Sequence, residues 1–233
     1  MTLSDWPQLQ SHIAELEQEG LVTRTFRRLD AERQMAVIHA VLDEASERGP
    51  TAINIKHVAE RAGVAVGSLY TYFGSRDGML DFAVTLCVRY MSDAFESFRP
   101  YLIALPFDQG LRLYLSGGVE WSQTQLGLIQ FFARAAYHSD SELLERIVQP
   151  VATTMRELVR AMLEGAIARG EVRPDIDLDA TSRLIHGLSI VAGDSQILPY
   201  LNAYFQITGG DVLPERVLDA FVALVMDGIA PRS

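Results

Sequence analysis

The segment NIKHVAERAGVAVGSLYTYFGSR, residues 54–76, contains two short amphipathic helix patterns separated by a glycine. The first pattern begins at Asn54, a residue type that caps helix N-termini, and ends at Gly63. The second pattern follows the break 63–65 and ends at Gly74. Apolar side chains recur at helical spacing in both patterns, and they are Ile55, Val58, Ala59 and Ala62 in the first and Val66, Leu69, Tyr70 and Phe73 in the second.

Two short helices joined by a glycine-containing turn indicate a helix-turn-helix, whose second helix enters the major groove of DNA. Gly63 by itself also suits a plain helix C-cap, and the small polar and aromatic residues of the second helix would also suit an ordinary surface helix. The local charge favours DNA binding, since residues 54–76 contain three cationic side chains and a single acidic one, Glu60. These cations are Lys56, Arg61 and Arg76. The residues of the second helix outside its apolar stripe, which are able to reach base edges or phosphates, are Gly67, Ser68, Thr71 and Tyr72.

Residues 55–64 and 67–76 resemble the DNA-binding signature of the TetR family of bacterial transcriptional regulators. The resemblance covers residues 31–80 in detail, whereas the later helices resemble the family only in number and length. It implies an all-α fold with an N-terminal three-helix helix-turn-helix DNA-binding domain and a C-terminal helical ligand-binding and dimerisation domain. The expected division is an N-terminal extension over 1–30, the DNA-binding domain over 31–80 and the second domain over 81–233.

The resemblance also implies roles for individual residues of the helix-turn-helix. Asn54, Tyr70 and Arg76 are expected to contact phosphates of double-stranded operator DNA. The residues expected to face the bases are Val66, Gly67, Ser68, Thr71 and Tyr72. The family often has polar residues in place of Ala65 and Val66, so base recognition here is expected to depend more on thymine methyl groups, DNA shape or an N-terminal arm.

Two features precede the helix-turn-helix domain. Arg24, Arg27 and Arg28 form either a basic arm that enters the adjacent minor groove or, in the more common situation, the solvated cationic start of a helix. Residues 1–20 contain an apolar pattern after Pro7 and end at Gly20, which predicts a short extra helix of unassigned role. The apolar positions of that pattern are Leu9, Ile13 and Leu16.

The rest of the chain also has the apolar spacing of helices, with no sustained alternation typical of strands. One helix is expected over 31–48, where Gly49 and Pro50 end it. Ser75 is placed to cap a long helix that is expected to end near Phe98. Further helices are expected near 107–121, 123–138, 141–169, 178–198 and 214–229, with breaks at proline, glycine or serine.

Composition limits the possible functions of the 233-residue chain. The net charge of −10 disfavours DNA binding as a whole, yet residues 21–90 carry nine basic and eight acidic side chains, so most of the acid lies elsewhere. The single cysteine, Cys87, excludes a disulfide framework and lies in an apolar run, where a buried packing role is expected. No signal segment or membrane-spanning run is present, so we expect a soluble, cytoplasmic protein that does not bind a membrane.

The C-terminal domain implied by the resemblance is expected to hold a small, largely hydrophobic effector between its helices. Aromatic residues at helical spacing are more often core than ligand contacts, and Arg134 and His186 more often find an internal partner than a ligand. The candidates for ligand binding are Tyr114, Trp121, Gln125, Phe131, Phe132, Arg134, Tyr137, His138 and His186. The helices near 178–198 and 214–229 resemble the pair that forms the family's four-helix homodimer interface.

The sequence therefore predicts a ligand-responsive, homodimeric repressor that an effector releases from its operator. The alternative is a ligand-independent DNA-binding or protein-interaction protein on the same scaffold. An α-helical enzyme is a remote alternative, because the chain lacks a glycine-rich phosphate loop, a nucleophile elbow and a zinc-protease motif, and neither Glu120 with His138 and Asp140 nor His186 with Asp194 has supporting spacing. No cofactor, metal or catalytic residue is expected.

Overall fold

The structure, a computed structural model, describes residues 6–49, 52–137 and 143–231. These residues form helices apart from turns and one isolated β-bridge between Gly209 and Val212. The α-helices are α1 (Trp6–Gln18), α2 (Arg24–Arg27), α3 (Ala31–Arg48), α4 (Ile55–Ala62), α5 (Val66–Phe73), α6 (Arg76–Ala104), α7 (Phe107–Thr124), α8 (Leu126–Tyr137), α9 (Gln149–Ala168), α10 (Leu178–Ile197), α11 (Pro199–Phe205) and α12 (Pro214–Ile229), and a π-helical turn, Leu144–Val148, leads into α9. The expectation of an all-α fold is confirmed.

Contacts divide the chain into two compact units. Of the described residues, the first unit comprises 6–49, 52–93, 124–137 and 143–151, and the second comprises 94–123 and 152–231. Residues 124–137 and 143–151 thus pack with the N-terminal helices, although the expected division has them in the C-terminal domain. The functional boundaries after residues 30 and 80 stay predictions.

The core of the first unit is organised around Phe26 of α2. Its ring centroid lies 5.5 Å from that of Tyr72, 5.3 Å from Phe73 and 5.5 Å from Phe82. Phe73 and Phe82 are themselves 5.0 Å apart, so α2, the end of α5 and the start of α6 share one aromatic cluster. Offset and edge-on aromatic pairs add to the free energy gained from burial, which fixes the three helices to one another.

Helix α1 is an integral part of this unit. Its Leu9, Ile13 and Leu16 are completely buried, as the apolar pattern predicted. Arg89 of α6 is hydrogen bonded to Glu19, with an N–O distance of 2.7 Å, and lies 3.3 Å from Glu15. The extra helix therefore covers apolar surface that the helix-turn-helix unit would otherwise expose to water.

The carboxylate of Glu44 on α3 is fully buried beneath the start of α4. It accepts a hydrogen bond from the backbone N–H of Asn54 (3.2 Å) and lies 3.3 Å from His57 Nδ1. Arg48 Nε lies 3.0 Å away and Arg61 Nη2 lies 3.8 Å away. A buried charge is tolerated when it is paired and hydrogen bonded, so this cluster fixes α4 on α3.

The second unit has its own apolar core, to which α7, α9, α10 and α12 contribute together with the last turns of α6. Glu171 Oε2 accepts a hydrogen bond from the backbone N–H of Phe107 (2.8 Å), which satisfies a free donor at the start of α7. Arg169 donates to the carbonyls of Ile103 and Leu105 at 2.8 Å. These bonds hold the α6–α7 connection, which lies between two helices of the core.

Two helices differ from the sequence-based expectation. Helix α6 continues through Pro100 to Ala104, although the proline lacks the N–H that would bond to residue 96. Burial of Leu102 in the second core stabilises the extra turn, and the helix ends before Pro106, where the preceding residue disfavours helical angles. Helix α11 is not predicted by the sequence pattern, because a proline between two helix patterns indicates a break. Proline is also favoured in the first helical turn, where Pro199 lies.

Cys87 and Ser75 behave as the sequence predicted. Cys87 is fully buried, its sulfur lies 3.8 Å from that of Met91, and burial raises the pKa of its thiol above the ordinary value. The thiolate needed for reactivity is therefore disfavoured. The Ser75 hydroxyl accepts a hydrogen bond from the Gly78 N–H (2.9 Å) and caps α6.

The substitution Phe26→Ala tests the importance of the aromatic cluster. We expect the free energy of unfolding of the first unit to fall by about 3–5 kcal/mol, since a fully buried aromatic side chain is removed from between three helices. Urea denaturation measures the loss. The control is Phe98→Ala, because Phe98 is half exposed and its loss is expected to change stability far less. Equal effects of the two substitutions would contradict the central role of Phe26.

Candidate DNA-binding surface and effector pocket

The helix-turn-helix forms where the sequence predicted it. The side chain of Asn54 accepts a hydrogen bond from the Lys56 N–H (3.0 Å) and caps α4. Gly63 ends α4 in the left-handed region, with φ 65° and ψ 32°, a conformation that costs other residues about 1 kcal/mol or more. After two residues α5 begins at Val66 without a side-chain cap, because Ala65 has no polar group to offer.

One face of α5 is open to solvent. Gly67, Tyr70 and Thr71 are exposed, and Val66 and Ser68 are half-buried. The Thr71 hydroxyl donates to the Gly67 carbonyl (3.0 Å). A side-chain carbon added at Gly67 would meet no atom within 4 Å, so packing inside the protein does not require glycine at this position. The face is small and uncharged, which suits close approach to base edges.

Tyr72 and Tyr70 are placed differently from the sequence-based expectation. Tyr72 is only 8% exposed and packs against Phe26, so the prediction that its side chain faces the bases is not supported by the geometry. Tyr70, which the pattern placed on the apolar face, is 48% exposed. Helical spacing fits both arrangements. The buried face is the one with Leu69, Tyr72 and Phe73, because Phe26 lies on that side.

Arg27 and Arg61 are neutralised by carboxylates. Arg27 forms an ion pair with Glu17 of α1. Arg61 makes two hydrogen bonds to Glu47 of α3, and these bonds hold the pKa of the Glu47 carboxyl below its ordinary value. Either guanidinium would have to break these contacts before it could bind a phosphate.

Three other cations remain available on the surface. Arg24, Arg28 and Lys56 are exposed, and no ion pair joins them to a carboxylate within residues 6–49, 52–137 and 143–231. Arg76 has a structural role, since its Nε donates to the carbonyl of Ile53 (2.9 Å) just before α4. Its Nη1 lies 3.8 Å from Asp77 Oδ1.

The basic segment before α3 is a helical turn, α2, and not an extended arm. Thr23 fixes this turn to the end of α5, because its N–H donates to the carbonyl of Tyr72 (2.9 Å) and its hydroxyl donates to that of Thr71 (2.9 Å). The cationic helix start is therefore the arrangement that forms. Arg24 and Arg28 therefore belong to a turn that is bound to α5, the helix whose outer face is open to solvent.

The second unit contains an apolar pocket. About 540 Å³ of space, part of it open to solvent, lies between side chains of α6, α7 and α9. Its walls include Phe95, Phe98, Leu102, Tyr114, Trp121 and Leu158. This apolar lining is typical of sites for small hydrophobic ligands.

Only two of the nine candidate ligand residues, Tyr114 and Trp121, line this pocket. Five others belong to the first unit, where α8 packs against α3, and they are Gln125, Phe131, Phe132, Arg134 and Tyr137. Phe131 is fully buried there, and the Arg134 guanidinium lies beside Gly49 at the C-terminus of α3. His138 lies outside the described residues. His186 is half-buried on α10, where burial and then Arg156 lower the pKa of its imidazole.

Tyr114 belongs to the pocket wall, and its hydroxyl is buried. Tyr114 is 7% exposed, and its oxygen has no hydrogen-bond partner among the residues that the structure describes. Burial raises the pKa of this hydroxyl, so the group stays protonated at neutral pH and keeps its O–H for donation.

Helices α10 and α12 expose apolar side chains on the second unit. Leu184 is 68% exposed, Leu188 is 44% exposed and Leu224 is 66% exposed. Phe221 and Val225, also on α12, are instead buried in the core of the same unit. Contiguous exposed apolar patches on soluble proteins are common at protein–protein contacts.

The described residues contain no cluster of histidine, cysteine and carboxylate side chains that fits a metal ion. None of the helices in the described part of the chain is both long and apolar enough to cross a bilayer.

Two family models match separate parts of the chain. Residues 37–82 match the model described as bacterial regulatory proteins, tetR family. Residues 110–192 match the model described as the tetracyclin repressor-like C-terminal domain. The first match contains α4 and α5, and the second contains the pocket residues Tyr114 and Trp121. Helices α1, α2, α11 and α12 lie outside both matches.

Individual relatives agree with these matches. The chain is similar to the HTH-type transcriptional repressor KstR2 of Rhodococcus jostii, with 24% identity over 187 residues that cover 79% of this chain and 85% of the relative. The fold is similar to that of KstR2 of Mycobacterium tuberculosis (TM-score 0.58, 20% identity, 88% and 98% of the two chains). It is also similar to that of the transcriptional regulator FadR from Bacillus subtilis in complex with stearoyl-CoA (TM-score 0.63, 20% identity, 84% and 98%).

Gly67→Ala separates folding from recognition on α5. We expect it to leave the fold intact or stabilise it by up to about 1 kcal/mol, because alanine is the better helix former and its methyl group meets open space. We also expect DNA affinity to fall, because the methyl group stands where the helix approaches the bases. Thermal denaturation and fluorescence anisotropy with labelled DNA measure the two effects.

The matched control is Gly118→Ala, a glycine of α7 whose added methyl group also meets no atom within 4 Å. It is expected to stabilise the protein without changing DNA affinity. Unchanged DNA affinity in the Gly67→Ala protein would show that this face of α5 does not approach DNA.

Proposed function

This chain belongs to the TetR family of bacterial regulatory proteins, and we propose that it is a cytoplasmic repressor that binds double-stranded operator DNA as a homodimer. A small, largely hydrophobic effector bound in the second unit releases it. The DNA-binding part of this proposal rests on the open face of α5. Phe26 holds this helix in place, and the exposed cations near it are Arg24, Arg28 and Lys56. Phosphate contacts from such cations position a recognition helix, and contacts to base edges supply specificity.

The exposed leucines of α10 and α12 support a homodimer. In a two-fold dimer the same surface of each copy covers that of the other, so Leu184, Leu188 and Leu224 would leave water on both sides. A dimer also presents two α5 helices to two half-sites of an operator. Two linked recognition helices give the affinity that one small, weakly charged surface lacks.

The apolar pocket supports regulation by an effector. An effector releases the repressor only if it binds the DNA-incompetent state more tightly than the DNA-bound state, whatever its absolute affinity. The similar protein KstR2 is named a repressor, and the similar FadR structure holds stearoyl-CoA, a ligand with a long hydrocarbon chain.

A pair of single-atom substitutions tests DNA binding. Tyr70→Phe removes an exposed hydroxyl that we propose to contact a phosphate, and it is expected to weaken DNA binding about tenfold, the effect of one lost hydrogen bond. Tyr72→Phe removes the hydroxyl of a buried ring and is expected to leave DNA affinity unchanged. Anisotropy titrations with DNA from upstream of the protein's own gene, repeated over a salt series, measure both.

Wild-type binding in that assay is expected to be saturable, sequence-selective and weaker at high salt, because phosphate contacts release counterions. Weak binding that is equal on all DNA, and insensitive to Tyr70→Phe, would favour a protein-interaction role on the same scaffold. Sensitivity to Tyr72→Phe in place of Tyr70→Phe would place the opposite face of α5 on the DNA.

The substitution Leu188→Glu tests the dimer. A charge at the centre of an apolar interface is expected to convert the protein to a monomer, with its helical content unchanged, because Leu188 is already partly exposed in the isolated chain. Analytical ultracentrifugation measures the mass and circular dichroism the fold. Leu113→Glu is the control, since Leu113 is an equally exposed leucine on α7. A dimer that survives Leu188→Glu would contradict the proposed interface.

A further inference from the structure

Two adjacent glycines, Gly117 and Gly118, line the apolar pocket in the middle of α7. Glycine is among the least favourable residues in a helix interior, so a glycine pair there needs a reason. Neither has a positive φ. A side-chain carbon at Gly118 would meet no atom within 4 Å, and one at Gly117 would meet only Leu113 Cδ1 at 3.7 Å, an ordinary contact. Packing among the described residues therefore does not explain the pair.

Tyr114 lies on the same face of α7, three and four residues before the glycines, and it lines the same pocket. Its hydroxyl is buried and lacks a hydrogen-bond partner among the described residues, although buried hydroxyl groups are normally satisfied. A tyrosine hydroxyl is protonated at neutral pH, and burial raises the pKa of this one further, so it is an O–H donor. A residue of the pocket wall thus carries a buried donor without a partner, one helical turn before a strip of wall that has no side chains.

The remaining walls define what such a donor can meet. The lining side chains are aliphatic or aromatic, and none is charged. An ionised carboxylate or phosphate in this space would lose its hydration without gaining a cation, and an ammonium group would lose it without gaining an anion. The part of a ligand that enters the pocket must therefore be neutral.

We propose that this pocket binds a neutral, mainly hydrocarbon ligand that carries one carbonyl oxygen as acceptor for the Tyr114 hydroxyl. The hydrocarbon body lies against Gly117 and Gly118, where the missing side chains leave room for it, and packs on Phe95, Phe98 and Trp121. This inference names the chemical class of the effector and rests on the proposed function for its regulatory meaning, but ligand binding itself is testable without DNA.

The test uses four probes with similar chains and different polar ends. Two are neutral carbonyl compounds, 2-tridecanone and methyl dodecanoate, and two are charged, tridecanoate and tridecylammonium. The chain has two tryptophans, so the Trp6→Phe protein reports on Trp121 alone through its fluorescence. We expect both neutral probes to change that fluorescence saturably and to bind at least tenfold more tightly than either charged probe.

Two substitutions connect binding to the named residues. Tyr114→Phe keeps the ring and removes the donor, and it is expected to weaken the neutral probes about tenfold, the effect of one hydrogen bond, with little effect on thermal stability. Gly118→Leu is expected to fill the space and abolish binding, while Gly118→Ala gives an intermediate loss and a higher melting temperature. All three proteins must keep wild-type helical content, which shows that they are folded.

The outcomes separate the two proposals. Failure of both neutral probes to bind, tighter binding of a charged probe, or binding that is indifferent to both Tyr114→Phe and Gly118→Leu overturns the ligand class. Probe binding as expected without any release of DNA leaves the ligand class standing and removes the regulatory role from the proposed function. Loss of DNA binding in all proteins, wild type included, removes the repressor role and leaves the fluorescence result intact.

Discussion

The packing of Phe26 against Tyr72, Phe73 and Phe82 is the contact on which the DNA-binding surface depends. Helix α5 has only eight residues, and a helix that short is unstable alone in water. Its orientation comes from the side that it buries. Because Tyr72 and Phe73 pack against Phe26, helical geometry places Gly67, Tyr70 and Thr71 on the exposed side. The buried face of α5 thus determines which face is exposed and available to contact DNA.

The distribution of ion pairs explains how a chain of net charge −10 has exposed cations beside α5. Several arginines of the first unit are used internally: Arg27 pairs with Glu17, Arg61 with Glu47, and Arg48 with the buried Glu44. These pairs stabilise the arrangement of α1, α3 and α4 and add little to phosphate binding. The cations left on the surface beside α5 are few, which makes dimerisation and base contacts more important for affinity.

The candidate site was predictable where it depends on local sequence and was not where it depends on packing partners. Asn54, Gly63 and Ser75 were correct as caps and turn, because caps involve atoms only a few residues apart. Tyr72 was placed on the wrong face because the apolar spacing of α5 fits two orientations. Five candidate ligand residues between Gln125 and Tyr137 lie in the first unit because α8 packs on α3, a contact that their own apolar pattern does not identify.

The sequence by itself determined the all-α class, the position of the helix-turn-helix and most helix ends, since hydrophobic periodicity, capping residues and glycines act through neighbours along the chain. Tertiary structure alone decided which side of α5 is buried, that α2 is a turn fixed by Thr23 to the end of α5, and that Tyr114, Gly117 and Gly118 form one wall of a pocket. Helical periodicity indicates that one face of a helix is apolar. Whether that face meets a core, a ligand or a second copy depends on residues distant in sequence, which only the folded chain brings together.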